Sequence, residues 1–177
     1  MRPLLRKKRK PFIQVELGSG QIPPGQKRRS NKTSIDIRVK SRSRTHKQSD
    51  FIGGLLRLKN NSVDLIPANA SLGYYTQNAR QIGILRKTPL IPSSPEGREL
   101  ISYTTRVLKT AHQKLKRNGQ VVVKIDEDFI EPFIHAVQQS PFTNVSIQEL
   151  GKEHLHTPWL KIIGAEKKVF QVALVKA

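Results

Sequence analysis

Residues 94–137 hold the pattern that constrains this chain most: a capped amphipathic helix, a run of valines and a second helix follow one another directly. Ser94 can cap, Pro95 suits the first helical position and Glu96 favours the positive end of the helix dipole. Leu100, Ile101, Thr104, Val107, Leu108, Ala111 and Leu115 recur at helical spacing, which predicts an amphipathic helix of about five turns ending at Asn118-Gly119. Residues 120–125 then read as a buried strand. Asp128-Phe-Ile-Glu131 has the spacing of a capping box, Pro132 falls in the first turn, and Ile130, Phe133, Ile134 and Val137 supply that helix's apolar face. Strands alternating with helices imply an α/β fold with a mainly parallel sheet and helices on its faces.

The rest of the chain reads as strands and irregular segments. Residues 12–18 alternate apolar and polar and stop at Gly18-Ser19-Gly20, and residues 33–37 form a short second strand. Between them Pro23-Pro24-Gly25 rules out a helix of any length. Residues 39–49 are polar and basic and are expected to be irregular until something anionic binds. Asp50-Phe-Ile-Gly-Gly54 reads as a third strand and residues 62–68 as a fourth, while Pro89 and Pro92 mark 76–94 as a loop. Strands at 144–150 and 168–175, joined without a helix, suggest a terminal antiparallel hairpin.

Charge narrows the partners. Of the 32 Lys and Arg residues in this 177-residue chain, fifteen precede Asp50 and face only Glu16 and Asp36, so +13 of the formal +19 lies in the first 49 residues. Clustered charge of one sign repels itself until a polyanion neutralises it, and Lys and Arg beside phosphates gain affinity through counterion release. Nucleic acid, RNA in the first place, is therefore the expected partner; the alternatives are a solvated surface that keeps the protein soluble and an acidic protein partner. With 36% apolar residues, one core of ordinary size is expected, with a basic arm at 1–11 and a single domain over 12–177. No cysteine is present, which excludes disulfides and thiolate chemistry, and of five histidines only His154 and His156 are close in sequence. No metal is expected. The start has no apolar stretch of the secretory kind and no run approaches the roughly 18 residues that span a bilayer, so a cytoplasmic protein without a membrane partner is expected. Oligomeric state is left open.

Glu16-Leu-Gly18-Ser19-Gly20 at a strand end, with Asp36 twenty positions later at the next strand end, is a nucleotide-binding arrangement. The glycines let the backbone approach a ligand closely, and an acid about that far on accepts the ribose hydroxyls. A dinucleotide would place its pyrophosphate on a helix N-terminus, which Pro23-Pro24 removes. A nucleoside without phosphates fits better.

With these residues in view, the chain resembles a class I S-adenosylmethionine-dependent methyltransferase. Val15-Glu-Leu-Gly-Ser-Gly20 is similar to the family's first motif and Ile35-Asp36 to its ribose-binding acid. Residues 60–66 resemble the segment leading into the fourth strand, and Leu115-Lys-Arg-Asn-Gly-Gln-Val-Val122 the turn before the fifth. The likeness runs over about 12–176, with the short first crossover of compact members whose first helix is reduced. It implies a Rossmann-like three-layer sandwich with a mainly parallel seven-stranded sheet and an antiparallel C-terminal strand.

It also implies S-adenosylmethionine as cofactor. Glu16, Gly18, Ser19 and Gly20 would face its methionine part, Asp36 the ribose, and Gly53, Gly54 and Leu55 the adenine, with Pro67 beside them. Substrate would lie beyond Pro67, with Asn69 and Tyr74 as candidate catalytic residues. Lys7, Lys8, Arg9, Arg28, Arg29, Arg42 and Arg44 would grip RNA phosphates around the pocket. Two departures stand out: family members usually carry an acid near Gly54, and Pro67-Ala-Asn-Ala70 is not the signature of amino-group methylases of bases. The reading is thus an RNA methyltransferase; the alternatives are a non-catalytic RNA-binding or assembly protein on a degenerate methylase sheet, and a methyltransferase of small molecules or proteins.

Overall fold

A computed structural model of the chain describes residues 11–18, 32–36, 46–48, 50–69, 90–153 and 167–177. The described strands are β1 (Gln14–Leu17), β2 (Lys32–Asp36), β3 (His46–Gln48), β4 (Val63–Asn69), β5 (Leu115–Asp126), β6 (Asn144–Glu153) and β7 (Lys167–Val175). They form one sheet in the order β3-β2-β1-β4-β5-β7-β6. β3, β2, β1, β4 and β5 run parallel, and β7 is antiparallel to both of its neighbours. The three described helices are α1 (Phe51–Leu56), α2 (Pro95–Lys114) and α3 (Ile130–Gln138).

The path from β1 through β2 to β3 moves one way across the sheet, and the path from β3 to β4 and β5 moves the other way. Right-handed crossovers therefore put α1 and α2 on the same face, where α1 packs on α2 and α2 on α3. Thr105 Oγ1 on α2 donates to the Ala136 carbonyl of α3 at 3.5 Å. Beneath this layer lie rows of strand residues in register: Leu17, Ala68, Val123 and Val172 across four strands, then Ile66, Val121 and Leu174. All are at most 1% exposed and join Leu55, Leu100, Val107, Leu108 and Phe133 in one core. Burying each of the larger side chains contributes about 1.5–3 kcal/mol. On the opposite face Glu16, Pro67, Val122, Lys124 and Gln171 are half-buried. The three described helices all belong to one layer, so the described residues give two layers of the expected three-layer sandwich.

Four local expectations are corrected. The stretch read as the third strand is α1, because Phe51, Gly54 and Leu55 recur at helical rather than alternating spacing and Asp50 caps them. The third strand is His46–Gln48, inside the basic stretch expected to be irregular, and it pairs with Ser34–Asp36. α2 ends at Lys114 rather than at Asn118-Gly119, since Leu115 already pairs with Val63 and the left-handed turn at Asn118 (φ 63°) falls within β5. The capping box does not form: the N-cap of α3 is Phe129 with no side-chain hydrogen bond, and the Asp128 amide donates to Asp126 Oδ1 at 3.0 Å.

Polar ties fasten the N-terminal edge of the sheet. Asp64 accepts from the Ile13 amide at 2.7 Å and from Lys116 Nζ at 2.7 and 2.9 Å, joining β1, β4 and β5. Partial burial alone would raise its pKa, but the Ile13 amide and Lys116 prevail and hold it below the ordinary value of 3.8. Lys176 Nζ donates to Asn61 Oδ1 and to the carbonyls of His112 and Leu115, closing the end of α2. His112 is pushed down by its burial and by Lys176, and its ring meets Phe142 edge-on at 5.1 Å.

Candidate functional site

The five parallel strands end together at one edge, and the chain's direction across the sheet reverses at β1, whose neighbours are β2 and β4. In open α/β sheets the crevice outside the strand ends at such a reversal is where ligands bind. Leu17 is in register with Ile35 on one side and Ala68 on the other, so the next residue, Gly18, is flanked by the ends of both neighbours. Gly18 has φ 69°, which side-chain-bearing residues rarely adopt, and its amide donates to the Ile35 carbonyl at 2.9 Å. The glycine thus turns the chain sharply where β1 leaves the sheet.

Around that turn the strands bring acids. Glu16 is half-buried on the face away from the helices, because Val15 and Leu17 take the core side. Asp36 is in register with Gln48, which sets the end of β2 beside the end of β3. Two residues on, exposed Asp50 caps α1, its Oδ1 accepting from the Gly53 amide at 2.7 Å. On the other side, β4 ends at Asn69, in register with Lys124, and β5 runs on to Asp126, which is 1% exposed. The Leu90 amide donates to the Asp128 carbonyl at 2.8 Å, so the segment leading into α2 starts from this edge too.

The sequence-derived candidates fall into three groups. Glu16, Gly18 and Pro67, with the backbones of Asp36 and Asn69, come together at this edge. Gly54 and Leu55 do not: a Cβ on Gly54 would lie 2.4 Å from Ile35 Cγ2, and Leu55 is fully buried, so both serve the packing of α1 on β2. Gly53 sits in the first turn of α1 and meets the Asp50 cap. Ser19, Gly20, Tyr74, Lys7, Lys8, Arg9, Arg28, Arg29, Arg42 and Arg44, and the side chains of Asp36 and Asn69, lie outside the described residues. Asp50 is an acid that sequence reasoning did not single out; the signal was an N-cap residue before Phe51-Ile-Gly-Gly, which only a helical reading exposes. Among the described residues no three His, Asp or Glu side chains form a group that would hold a metal ion, and no helix is long and apolar enough to cross a membrane.

Neither a protein-family model nor a curated protein matches the sequence. Solved structures do match its fold. An S-adenosylmethionine-dependent methyltransferase from Archaeoglobus fulgidus aligns over 93% of this chain and 86% of its own, with a TM-score of 0.53 at 10% identity. Another, from Mesorhizobium loti, aligns over 92% and 90%, with a TM-score of 0.50 at 11% identity. At such identities the likeness is one of architecture: the chain has the class I methyltransferase fold.

Proposed function

We propose that this chain is an S-adenosylmethionine-dependent methyltransferase that acts on RNA. The observation that carries the first half is the strand-end crevice, where a left-handed glycine turn ends β1 beside the end of β2, with Glu16 two positions before it and Asp50 at the cap of α1. That set of acceptors fits an adenosyl group: carboxylates accept from ribose hydroxyls and from an exocyclic amine, and the glycine turn admits a ligand to the backbone. When bound, the cofactor supplies a methyl group on a sulfonium, open to in-line displacement.

The chain's own residues then bind and align. Gly18, Ser19 and Gly20 line the methionine part, and Asp36 takes the ribose. The adenine edge falls to Asp50 and Gly53 rather than to Gly54 and Leu55; Asp50 supplies the acid that the family places near this helix. Pro67 and Asn69 wall the acceptor side, with Tyr74 beyond them. Alignment of the acceptor is the main catalytic contribution, and a base is needed only where the acceptor must lose a proton. The second half of the proposal rests on charge: +13 within the first 49 residues matches a phosphate backbone better than an uncharged small molecule.

The test is transfer of labelled methyl groups from the cofactor to bulk RNA by the full chain, followed by nucleoside analysis. Label in one modified nucleoside is the expected result. RNA that is bound but unlabelled would support the non-catalytic scaffold, and label only in a small-molecule or protein fraction would remove RNA as the acceptor.

A further inference from the structure

α2 and α3 leave a shallow groove of about 400 Å³ on the outer surface of the helix layer, lined by Arg98, Ile101, Ser102, Thr105, Arg106, Lys109 and Gln139. Three of the seven are cations and three carry neutral polar groups. Among the described residues none of the three cations has a carboxylate partner. The Arg98 guanidinium donates to the Ser93 carbonyl, and that of Arg106 stands 5.9 Å from the centre of the Tyr103 ring. Both are oriented without being neutralised. Arg106 and Lys109 are one turn apart, where like charges repel along a helix. Such an arrangement attracts an anion.

The groove's direction identifies the kind of anion. α2 starts beside the end of β5, through the Leu90 amide on Asp128, and finishes against the start of β4, where the Ser62 amide donates to the Lys114 carbonyl at 2.9 Å. It therefore descends from the edge that carries the candidate site, with Arg98 at the top and Lys109 below. Eleven residues of helix span about 16 Å, too long for one phosphate and long enough for several consecutive ones on a strand. Guanidinium groups present flat forks of donors that match phosphate oxygens.

We infer that the α2–α3 groove is a second contact for RNA, a phosphate-backbone track that starts at the site edge and runs down the helix layer. The inference rests on RNA as the substrate class. A peptide rich in carboxylates is the competing occupant.

The test compares two full-length triple variants with the wild type: Arg98→Gln, Arg106→Gln, Lys109→Gln in the groove, and Arg57→Gln, Lys59→Gln, Arg117→Gln at exposed positions toward the opposite edge. Both remove the same charge and are expected to keep the wild-type melting temperature. Binding of an RNA hairpin with a single-stranded flank is followed across salt concentrations, with polyglutamate as a second probe. The groove variant is expected to lose about two from the slope of log affinity against log salt and at least tenfold in affinity at physiological salt, while the control loses much less. Equal losses in both variants, or none in the groove variant, would overturn the track and leave the RNA substrate standing. Loss of polyglutamate binding with RNA binding intact would overturn it in favour of an acidic protein segment. A wild type that binds no RNA would overturn both readings together.

Discussion

Gly54→Ala measures how closely α1 is seated on β2. The added Cβ would lie 2.4 Å from Ile35 Cγ2, 2.9 Å from Cδ1 and 3.1 Å from Cγ1, where ordinary contact begins at 3.4 Å. The overlap is thus about 1 Å. All three clashing atoms belong to one branched side chain that is itself fully buried, so rotation into free space does not relieve it. Overpacking of this kind costs about 1–3 kcal/mol. Against it stands the better helix propensity of alanine, about 1 kcal/mol. The clash outweighs the gain in propensity, and Gly54→Ala is expected to lower stability by about 1 kcal/mol. Ile35→Ala alone should cost about 2–4 kcal/mol through the space it opens. In the double variant the new methyl enters that space, so its cost should fall short of the sum of the two single costs by at least about 1 kcal/mol. Urea unfolding of the four proteins, with a common m-value, supplies the cycle. An increase in stability for Gly54→Ala, or an additive cycle, would refute the packing role of this glycine and return it to the ligand.

Two further outcomes concern stability. Ser94→Ala removes a hydroxyl that accepts from the Gly97 amide at 3.0 Å and donates to the Ile91 carbonyl at 2.7 Å; a loss of about 1 kcal/mol in chemical denaturation is expected, and no loss would mean that α2 does not depend on this cap. Asp64→Asn should cost about 1–2 kcal/mol near neutral pH. Because the folded state holds Asp64 below 3.8, its contribution is present in full above that pH and is lost as the pH falls through the folded value. The gap between wild type and Asp64→Asn should therefore close on the acid side, and a gap that widens there would contradict the ion pair with Lys116.

What the sequence made legible follows from where its signals are local. α2 is readable because cap, first-turn proline and apolar stripe agree, and β5 because three valines in succession leave little choice but a buried strand. His46-Lys-Gln48 carries no apolar period at all; it is a strand because its backbone pairs with β2, a partner that lies elsewhere in the chain. α1 is six residues long with two glycines, and both features argue against a helix until Ile35 is seen occupying the place of the missing Cβ. The same blindness hides the packing of Gly54 on Ile35, since a glycine that admits a ligand and one that admits a neighbouring side chain look alike in sequence. Asp128 and Glu131 have the spacing of a capping box, yet the Asp128 amide is taken by Asp126, a competition between neighbours that spacing alone does not decide. At the site, Gly18 is legible because a strand ending in glycine needs a reason, and the left-handed φ supplies it.

S-adenosylhomocysteine, the demethylated form of the cofactor, is expected to occupy the crevice at the ends of β1, β2 and β4, and calorimetric titration of the full chain with it decides whether that crevice is an adenosyl site. Saturable one-to-one binding is expected, weakened about tenfold to a hundredfold by Asp36→Ala and by Asp50→Ala. No heat and no thermal shift with the wild type, or affinity indifferent to both substitutions, would contradict it.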